Sequence, residues 1–439
     1  MYIPRIKTFR LLIFTLVISL FSSCTAKKKV EKQKFISVKS GQFIRNEQPY
    51  YFVGTNFWYG AILASEGEGG DRNRLEKELD YLRSIGVDNL RILVGADGKN
   101  GVPTKVEPTL QIAPGVYNDT ILAGLDYLMD ELRERDMLAV LYLNNSWEWS
   151  GGYGQYLEWA GHGDIVVPAV DGWPSYYAYA QQFSTSTKAQ ELFFNHVKYI
   201  LGRTNQYSGI KYVEDPAIMS WQVGNEPRAF SEEPAVKTAF AAWLKQSTAL
   251  IRSLDSNHLI SIGSEGKHGC EQDIALFEQI HADKNVDYIN IHCWPYNWSW
   301  AGEETLLEDV EQAKANASAY LEEHFAVARQ YQKPVTLEEF GYPRDGFQFI
   351  KDSSTQARDI FYQHIFDTIA QAKANNDVFA GCNFWAWGGF ATLNTNHNMW
   401  MKGDEYTGDP AQEAQGLNSV FSSDKSTIAL IKQANNNLK

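Results

Sequence analysis

The sequence alternates eight apolar, β-rich segments with segments of helical periodicity. Near-continuous apolar runs of this kind are typical of parallel strands that helices cover on both faces. Eight strands that alternate with helices in one chain predict an α/β protein with a (β/α)8 fold, the TIM barrel. A doubly wound open sheet is the alternative. The eight segments are residues 51–58, 89–95, 138–145, 217–226, 259–265, 288–294, 334–341 and 381–389.

The helical segments between these runs support the same order. In the first of them Leu75, Leu79 and Leu82 recur at helical spacing, and Gly86 follows in the position of a C-cap. Residues 38–439 are predicted to form one catalytic domain, and residues 35–45 a small hairpin that closes the base of the barrel. Further helices are expected over residues 121–135, 189–202, 235–254, 306–330 and 356–374.

The N-terminus has the pattern of an export signal. Arg5, Lys7 and Arg10 precede an apolar run over residues 11–21, which is too short for a comfortable bilayer span. We therefore predict a lipoprotein-type signal peptide over residues 1–23.

Cys24 follows two serines and resembles the lipidated first residue of a bacterial lipoprotein, although Phe21 stands where such signals usually have Leu. A polar, charged tether is expected over residues 24–37. A cleaved signal without lipid and an uncleaved membrane anchor are the alternatives. The protein is accordingly expected to be exported, either as a cell-envelope lipoprotein or as a secreted protein, with a lipid on Cys24 as its link to a membrane.

The charge of the chain excludes some partners. A formal net charge of −13 repels nucleic acid and anionic lipid, whereas a neutral polysaccharide is compatible with it. Cys270, Cys293 and Cys382 show no spacing suited to zinc, and no Walker loop or dinucleotide fingerprint occurs. We therefore expect no metal, no organic cofactor and no nucleic-acid partner.

Functional groups concentrate at the ends of the predicted strands. Arg91 lies in the second strand, Asn225 and Glu226 end the fourth, His292 lies in the sixth and Glu339 ends the seventh. The carboxyl ends of barrel strands meet at one rim, where such folds place their active sites. Glu226 and Glu339 are therefore expected to face each other across one mouth.

Two carboxyl groups in this arrangement suit the hydrolysis of a glycosidic bond. One must keep a proton near neutral pH while the other is ionised. Arg91 is suited to keeping one of them ionised, because a neighbouring cation lowers a carboxyl pKa. Retaining enzymes hold the pair about 5–5.5 Å apart, and inverting enzymes about 6.5–9.5 Å apart. Glu338 is expected to face away from Glu339, since successive strand residues point to opposite sides.

Side chains that could form a sugar cleft lie at the same strand ends. Pyranose rings pack their C–H faces on indoles without losing hydroxyl hydrogen bonds. Asn144 and Asn145 end the third strand and are expected to be polar contacts in the cleft. The tryptophans at or just beyond strand ends are Trp58, Trp147, Trp149, Trp294, Trp298 and Trp300.

Two segments resemble glycoside hydrolase family 5, and more narrowly its β-mannanase subfamily. WQVGNEPR (221–228) is similar to the acid/base strand, and TLEEFGYPRDG (336–346) to the nucleophile strand. GDPAQEAQGLNSVF (408–421) resembles the tail region of bacterial mannanases. The resemblance implies that Glu226 is the general acid/base and Glu339 the nucleophile.

The resemblance also implies supporting residues. Arg91 and Asn225 match the residues that support the two catalytic carboxyls in the family, and His292 matches the family's histidine on the sixth strand. Trp385 matches the strand-eight tryptophan that floors the −1 sugar, and Trp387 is a second candidate for that floor.

One position departs from the family pattern. The family commonly has a Tyr two residues after the strand-six histidine, where it donates a hydrogen bond to the nucleophile. Trp294 stands there in this chain, and Tyr296 follows two places later. We expect Tyr296 to take over the role; otherwise the nucleophile lacks that donor.

The implied activity is retaining, internal cleavage of β-1,4-mannosidic bonds in mannan, glucomannan or galactomannan. A β-1,4-glucan endohydrolase and an exo-acting β-mannosidase share the same catalytic groups and are alternatives. A glycan-binding lipoprotein on an inactive hydrolase scaffold is a more distant one. Oligomeric state is not predicted by the sequence.

Overall fold

Eight parallel strands form the central sheet of the computed structural model, which describes residues 1–2 and 34–439. Hydrogen-bonded neighbours follow chain order from β1 to β5, and β1 also pairs with β8, which continues through β7 to β6. This cyclic order confirms the (β/α)8 barrel and excludes the open doubly wound sheet. The strands are β1 (Phe52–Asn56), β2 (Asn89–Leu93), β3 (Leu138–Tyr142), β4 (Ile218–Gln222), β5 (Leu259–Ser261), β6 (Ile289–Cys293), β7 (Val335–Phe340) and β8 (Phe379–Phe384).

The junction between β5 and β6 closes through single hydrogen bonds instead of a regular ladder. The Asp287 N–H donates to the Ile260 carbonyl at 2.9 Å. The Asn290 side chain accepts from the Gly263 N–H at 2.9 Å and donates to the Ser264 carbonyl at 3.3 Å. A side-chain amide thus replaces the backbone pairing that the short strand β5 cannot supply.

Eight helices follow the strands in turn. In α1 the Asp71 carboxylate caps the first turn by accepting from the Arg74 N–H, and Gly86 has a φ of +88° after the last turn. The expected helices all form, while α5 and α8 were not anticipated from the sequence. The helices are α1 (Arg72–Ser84), α2 (Asp119–Glu134), α3 (Thr187–Leu201), α4 (Pro234–Leu254), α5 (Ile274–His281), α6 (Leu306–Tyr331), α7 (Gln356–Asn375) and α8 (Lys425–Leu438).

A small antiparallel sheet covers the amino-terminal end of the barrel, as the sequence predicts. Its buried Phe43 packs on Tyr288 with ring centroids 5.2 Å apart, and its Arg45 donates to Asp88 just before β2 at 3.1 Å. Its strands are Ser37–Lys39, Gln42–Arg45 and Gln48–Pro49. The first strand of the described residues therefore begins at Ser37.

Two long loops rise above the opposite end of the barrel. The loop after β3 contains three short helices, Gly152–Ala160, Pro168–Asp171 and Trp173–Ala180. The loop after β8 contains a pair of short parallel strands, Trp387–Gly389 and Val420–Phe421. These loops build the walls above the strand ends.

The predicted signal peptide, Cys24 and most of the tether fall on residues 3–33, outside the described residues. Within the described residues, no helix combines the length and apolar character needed to cross a bilayer.

Candidate active site

A cleft of about 630 Å³ opens at the carboxyl ends of the strands. Its volume falls in the usual range for small-molecule sites, about 300–1,000 Å³. Aromatic and ionisable side chains alternate along its walls, which suits a ligand with apolar faces and polar edges. Among the lining residues are Trp147, Glu148, Trp149, Trp173, Tyr177, Asn225, Glu226, Arg228, Glu265, Trp294, Trp298, Glu339, Trp385, Gln412 and Glu413.

Glu226 and Glu339 lie side by side in this cleft. An oxygen of one carboxyl and an oxygen of the other lie within 4.8 Å. His292 sits between them, with Nδ1 2.7 Å from Glu226 Oε1 and 3.3 Å from Glu339 Oε2. The pair is therefore too close for the separation of about 6.5–9.5 Å that inverting hydrolases use.

Arg91 holds the Glu339 side of the site. Its Nη1 donates to Glu339 Oε1 at 2.5 Å, and its Nη2 donates to Asn225 Oδ1 at 2.8 Å. Asn56 and Gln222 accept from the remaining face of the guanidinium at 3.1 and 2.8 Å. With its side chain fully buried and held by four residues, Arg91 is a fixed cation beneath the cleft floor.

The Glu226 carboxyl has a different set of partners. The Trp147 indole N–H donates to its second oxygen, and the Ser146 hydroxyl donates to its backbone carbonyl. The backbone of Glu226 has a φ of +48°, a conformation that side-chain-bearing residues rarely adopt. Strained backbone of this kind is common where a functional side chain must be aimed.

Electrostatics separates the two carboxyls. Burial raises the pKa of both groups, and the Arg91 cation acts against that effect. Of the two carboxyls only Glu339 contacts the guanidinium, which favours the negative charge on Glu339 and the proton on Glu226. Burial also lowers the pKa of His292 well below its ordinary value, so the ring is neutral.

The tautomer of His292 follows from its contacts. Nδ1 faces two carboxyl groups, so it carries the ring proton and donates. Nε2 is buried without a hydrogen-bond partner among the described residues, as fits a nitrogen that has no proton to donate.

Glu338 does not face away from Glu339, which corrects the expectation from strand alternation. Ile291 of β6 pairs with Leu337, but the next residue, His292, pairs with Glu339, so Glu338 is an extra residue in a β-bulge. The Glu338 carboxyl is buried 3.7 Å from Arg91 Nε. Both neighbouring glutamates therefore reach the same guanidinium.

The two predicted asparagines lie beneath the cleft and support Asn225. Asn145 Oδ1 accepts from Asn225 Nδ2 at 3.2 Å and from the Trp147 N–H at 3.0 Å. Asn144 donates no hydrogen bond through its buried Nδ2 to any described residue, and its carbonyl accepts from the Asn225 N–H at 2.8 Å. Asn145 thus links the third strand to the fourth.

Trp147, Trp294 and Trp385 line the cleft as predicted, with the Trp294 and Trp385 rings meeting edge to face at 6.0 Å. The Trp294 indole assists Trp147 in lowering the pKa of Glu226. Within the described residues, neither Trp294 nor Tyr296 donates a hydrogen bond to Glu339.

Four predicted aromatic contacts lie outside the cleft. One of them, Trp300, packs on Trp298 with ring centroids 5.0 Å apart. Trp58 is 1% exposed and donates its indole N–H to the Gly408 carbonyl, because the loop after β8 folds over it. Trp387 is fully buried and donates to Glu78, so it is not the cleft floor. The Tyr296 hydroxyl donates to Glu303 at 2.7 Å, since its loop turns outward after Trp294.

Four ionisable residues of the cleft were missed from the sequence. Burial raises the pKa of Glu148 to about 7 and those of Glu265 and Glu413 to about 8. Arg228 lies 3.4 Å from Glu265 and 5.9 Å from the Trp147 ring. Glu265 and Arg228 follow predicted strands and could have been found by position. Glu148 and Glu413 lie in long loops that carry no such signal.

Inverting hydrolases hold their two carboxyls about 6.5–9.5 Å apart to make room for a water molecule, whereas oxygens of this pair lie within 4.8 Å. The class of protein is therefore a retaining glycoside hydrolase, with its active site at the mouth of a (β/α)8 barrel.

Comparison with known proteins gives the family. A model described as glycoside hydrolase family 5, beta-mannosidase-like, matches residues 33–439. The glycoside hydrolase family 5 mannosidase of Rhizomucor miehei superposes with a TM-score of 0.84 and 33% identity over 92% of this chain and 97% of that one. Mannan endo-1,4-beta-mannosidase 7 of Arabidopsis thaliana is 28% identical, covering 80% of this chain and 77% of the relative. The chain belongs to the β-mannosidase-like group of glycoside hydrolase family 5.

Proposed function

We propose that the protein hydrolyses β-1,4-mannosidic bonds in mannan, glucomannan or galactomannan with retention at the anomeric carbon. The observation that carries the proposal is the carboxyl pair within 4.8 Å, one member bound by the Arg91 cation and the other by the neutral donors Trp147 and His292. The mannan preference is supported by the relatives, which include plant mannan endo-1,4-beta-mannosidases and a mannosidase crystallised with mannosyl-fructose.

The reaction would run in two displacements. Glu339 attacks the anomeric carbon while Glu226 gives its proton to the departing oxygen, which forms a glycosyl ester on Glu339. Glu226, now ionised, takes a proton from water, and the hydroxide formed releases the sugar from Glu339. Arg91 stabilises Glu339 as it becomes charged again, and neutral His292 donates to whichever carboxyl bears the charge.

Sugar binding would use polar groups that have no hydrogen-bond partner among the described residues. Glu148 Oε2, Glu413 Oε2 and Gln412 Oε1 are buried and accept no hydrogen bond from any described residue. Sugar hydroxyls are donors of the right kind for these oxygens. Trp385 and Trp149 lie in the same wall of the cleft and offer apolar surface to the ring faces.

We propose internal cleavage of the polymer, the activity for which the plant relatives are named. Release of mannose from chain ends is the second candidate. It is favoured because the fold is more similar to the Rhizomucor miehei mannosidase (TM-score 0.84) than to the endo-mannanase of the same fungus (TM-score 0.67). Viscosity and products separate the two. Internal cleavage lowers galactomannan viscosity before free mannose appears, whereas end-wise cleavage releases mannose first.

Substrate and stereochemistry are tested together. We expect hydrolysis of glucomannan and galactomannan, little action on carboxymethyl cellulose, and the β-anomer as the first product seen by proton NMR. Cleavage of the cellulose derivative alone would contradict the mannan preference, and the α-anomer as first product would contradict retention.

We also propose that the protein is exported and lipidated on Cys24, on the strength of the N-terminal sequence alone. In a bacterial host fed an alkyne-tagged fatty acid, the native chain should carry the tag and sediment with membranes. Cys24→Ser should carry no tag. An untagged native chain would contradict lipidation, and an intact N-terminus in the cytosol would contradict export.

A further inference from the structure

Glu338 is a third glutamate beneath the catalytic pair, and the mechanism above does not use it. Its side chain is fully buried. The β-bulge described above turns it toward the barrel interior, where β2, β4 and β6 converge. A buried carboxyl next to the nucleophile requires a physical account, because an unpaired charge there would be costly.

Gln222 connects Glu338 to the catalytic groups. Its Nε2 donates to Glu338 Oε2, while its Oε1 accepts from Arg91 Nε at 2.8 Å. An amide has a distinct donor end and acceptor end, so the contact with Glu338 fixes which end meets Arg91. Arg91 in turn holds Glu339 and Asn225. Any rotation of the Gln222 amide would therefore displace the guanidinium that holds the nucleophile.

The charge balance beneath the cleft decides the protonation of Glu338. The charged or titratable groups that face it are Arg91 on β2, Tyr288 just before β6 and its neighbour Glu339 on β7. β1 and β4 contribute the neutral amides of Asn56 and Gln222. One guanidinium thus faces two carboxyls, and burial raises the pKa of Glu338.

The hydrogen bonds accommodate a neutral Glu338. Its Oε1 lies 2.8 Å from the Tyr288 hydroxyl, which lies 3.1 Å from the Ser220 hydroxyl. A protonated Oε1 can donate to Tyr288, and Tyr288 can then donate to Ser220, so each group has a partner. Oε2 remains the acceptor for Gln222.

We propose that Glu338 is a positioning residue for the nucleophile: holding a proton, it orients Gln222 and Arg91 and leaves the whole guanidinium charge to Glu339. This rests on the nucleophile role proposed for Glu339. The acid group works through hydrogen bonds alone, and a neutral side chain of the same shape should replace it.

Glu338→Gln and Glu338→Ala separate positioning from charge. In Glu338→Gln the amide oxygen accepts from Gln222 and the amide nitrogen donates to Tyr288, so kcat should stay within about threefold of the native value because no buried group loses its partner. The acid limb of the kcat/KM profile should not move. Glu338→Ala should lower kcat roughly 10²-fold, the scale of a misplacement of about 1 Å, and leave KM nearly unchanged.

Thr336→Ala is the matched control for lost packing. It truncates another buried side chain of β7, one whose hydroxyl has no hydrogen-bond partner among the described residues. It should lower thermal stability slightly and leave kcat as in the native enzyme.

The rate of covalent trapping by 2-deoxy-2-fluoro-β-mannosyl fluoride gives a direct readout on the nucleophile. Trapping should be slow in Glu338→Ala and near native in Glu338→Gln. Native kcat in a folded Glu338→Ala enzyme would overturn the proposal. So would a Glu338→Gln enzyme as impaired as Glu338→Ala, or one whose acid limb moves by more than about half a pH unit. Trapping of the native enzyme on a residue other than Glu339 would instead overturn the proposed nucleophile.

Discussion

The base and the mouth of the barrel both bury carboxylates, but the carboxylates at the base accept more hydrogen bonds than those at the mouth. At the base, Asp126 on α2 accepts from Arg203 at 2.8 and 2.6 Å and from the Tyr212 hydroxyl at 2.7 Å. At the mouth, Glu148 and Glu413 each bury one oxygen that accepts nothing from any described residue.

The difference shows which end of the barrel is built for stability and which for binding. A buried polar atom left without a partner costs about 1–3 kcal/mol, whereas the fully bonded Asp126 has no such cost. The mouth is thus less stable than it could be and gains its missing hydrogen bonds when a ligand with hydroxyl groups enters.

The largest effect is expected from Glu339→Ala. Loss of the proposed nucleophile should lower kcat on mannan by at least about 10⁴-fold, since covalent catalysis has no substitute in the site. The free energy of unfolding should fall as well, because buried Arg91 then lacks its carboxylate partner, and relief of the crowding between the two carboxyls offsets part of that cost. Turnover assays and thermal melts measure both. Substantial residual turnover would remove the nucleophile assignment.

Arg203→Ala should have the largest effect on stability and none on chemistry. It leaves the buried Asp126 without its cation, which typically costs about 3–5 kcal/mol in free energy of unfolding. Lys211→Ala, which breaks an exposed ion pair with Glu214, is the control and should cost less than about 1 kcal/mol. Denaturant titration gives both values. An altered kcat per folded molecule in Arg203→Ala would contradict the division between base and mouth.

Glu413→Gln should weaken the binding of mannan about tenfold and change how the free energy of unfolding depends on pH. The first effect follows because the carboxyl, which keeps its proton near neutral pH, donates a hydrogen bond to a sugar hydroxyl that an amide donates more weakly, a difference of about 0.5–1.5 kcal/mol. The folded Glu413 carboxyl, with its pKa raised from 4.5 to about 8, binds its proton more tightly than the unfolded chain does. Its stabilising contribution is therefore complete below pH 4.5 and lost as the pH rises through about 8.

Glu413→Gln cannot ionise and should lose this pH dependence. Its Tm should exceed the native Tm increasingly from pH 5 to pH 9. The exposed Glu322→Gln on α6 is the control and should follow the native curve. A constant difference in Tm across this range, together with an unchanged KM, would contradict the role of Glu413 at the mouth.

The smallest effect is expected from Tyr296→Phe. The hydroxyl that it removes is bound to Glu303 and makes no hydrogen bond to either catalytic carboxyl. We expect kcat/KM within about twofold of native, since an exposed hydrogen bond contributes little. A tenfold loss would show that the loop after β6 closes over the nucleophile in the working enzyme.

Much of the site could be predicted because it lies on the strands. Arg91, Asn225, Glu226, His292 and Glu339 all follow from two facts, the apolar runs that mark strands and the rim at which their carboxyl ends meet. No comparable pattern in the sequence predicts where the side chains of the loops lie. Trp58 was expected in the cleft and Tyr296 at the nucleophile, yet the first is covered by the loop after β8 and the second points outward.

By itself, the sequence determined the barrel, the order of its strands and the two glutamates that face each other, because these depend on periodicities that each segment carries locally. Only the tertiary structure decided where Glu338 points and which loop carboxylates enter the cleft. The register between β6 and β7 produces the β-bulge at Glu338. The packing of the loops after β3 and β8 determines which side chains form the walls of the cleft. Both arise from contacts between segments far apart in the chain, which a local pattern does not contain.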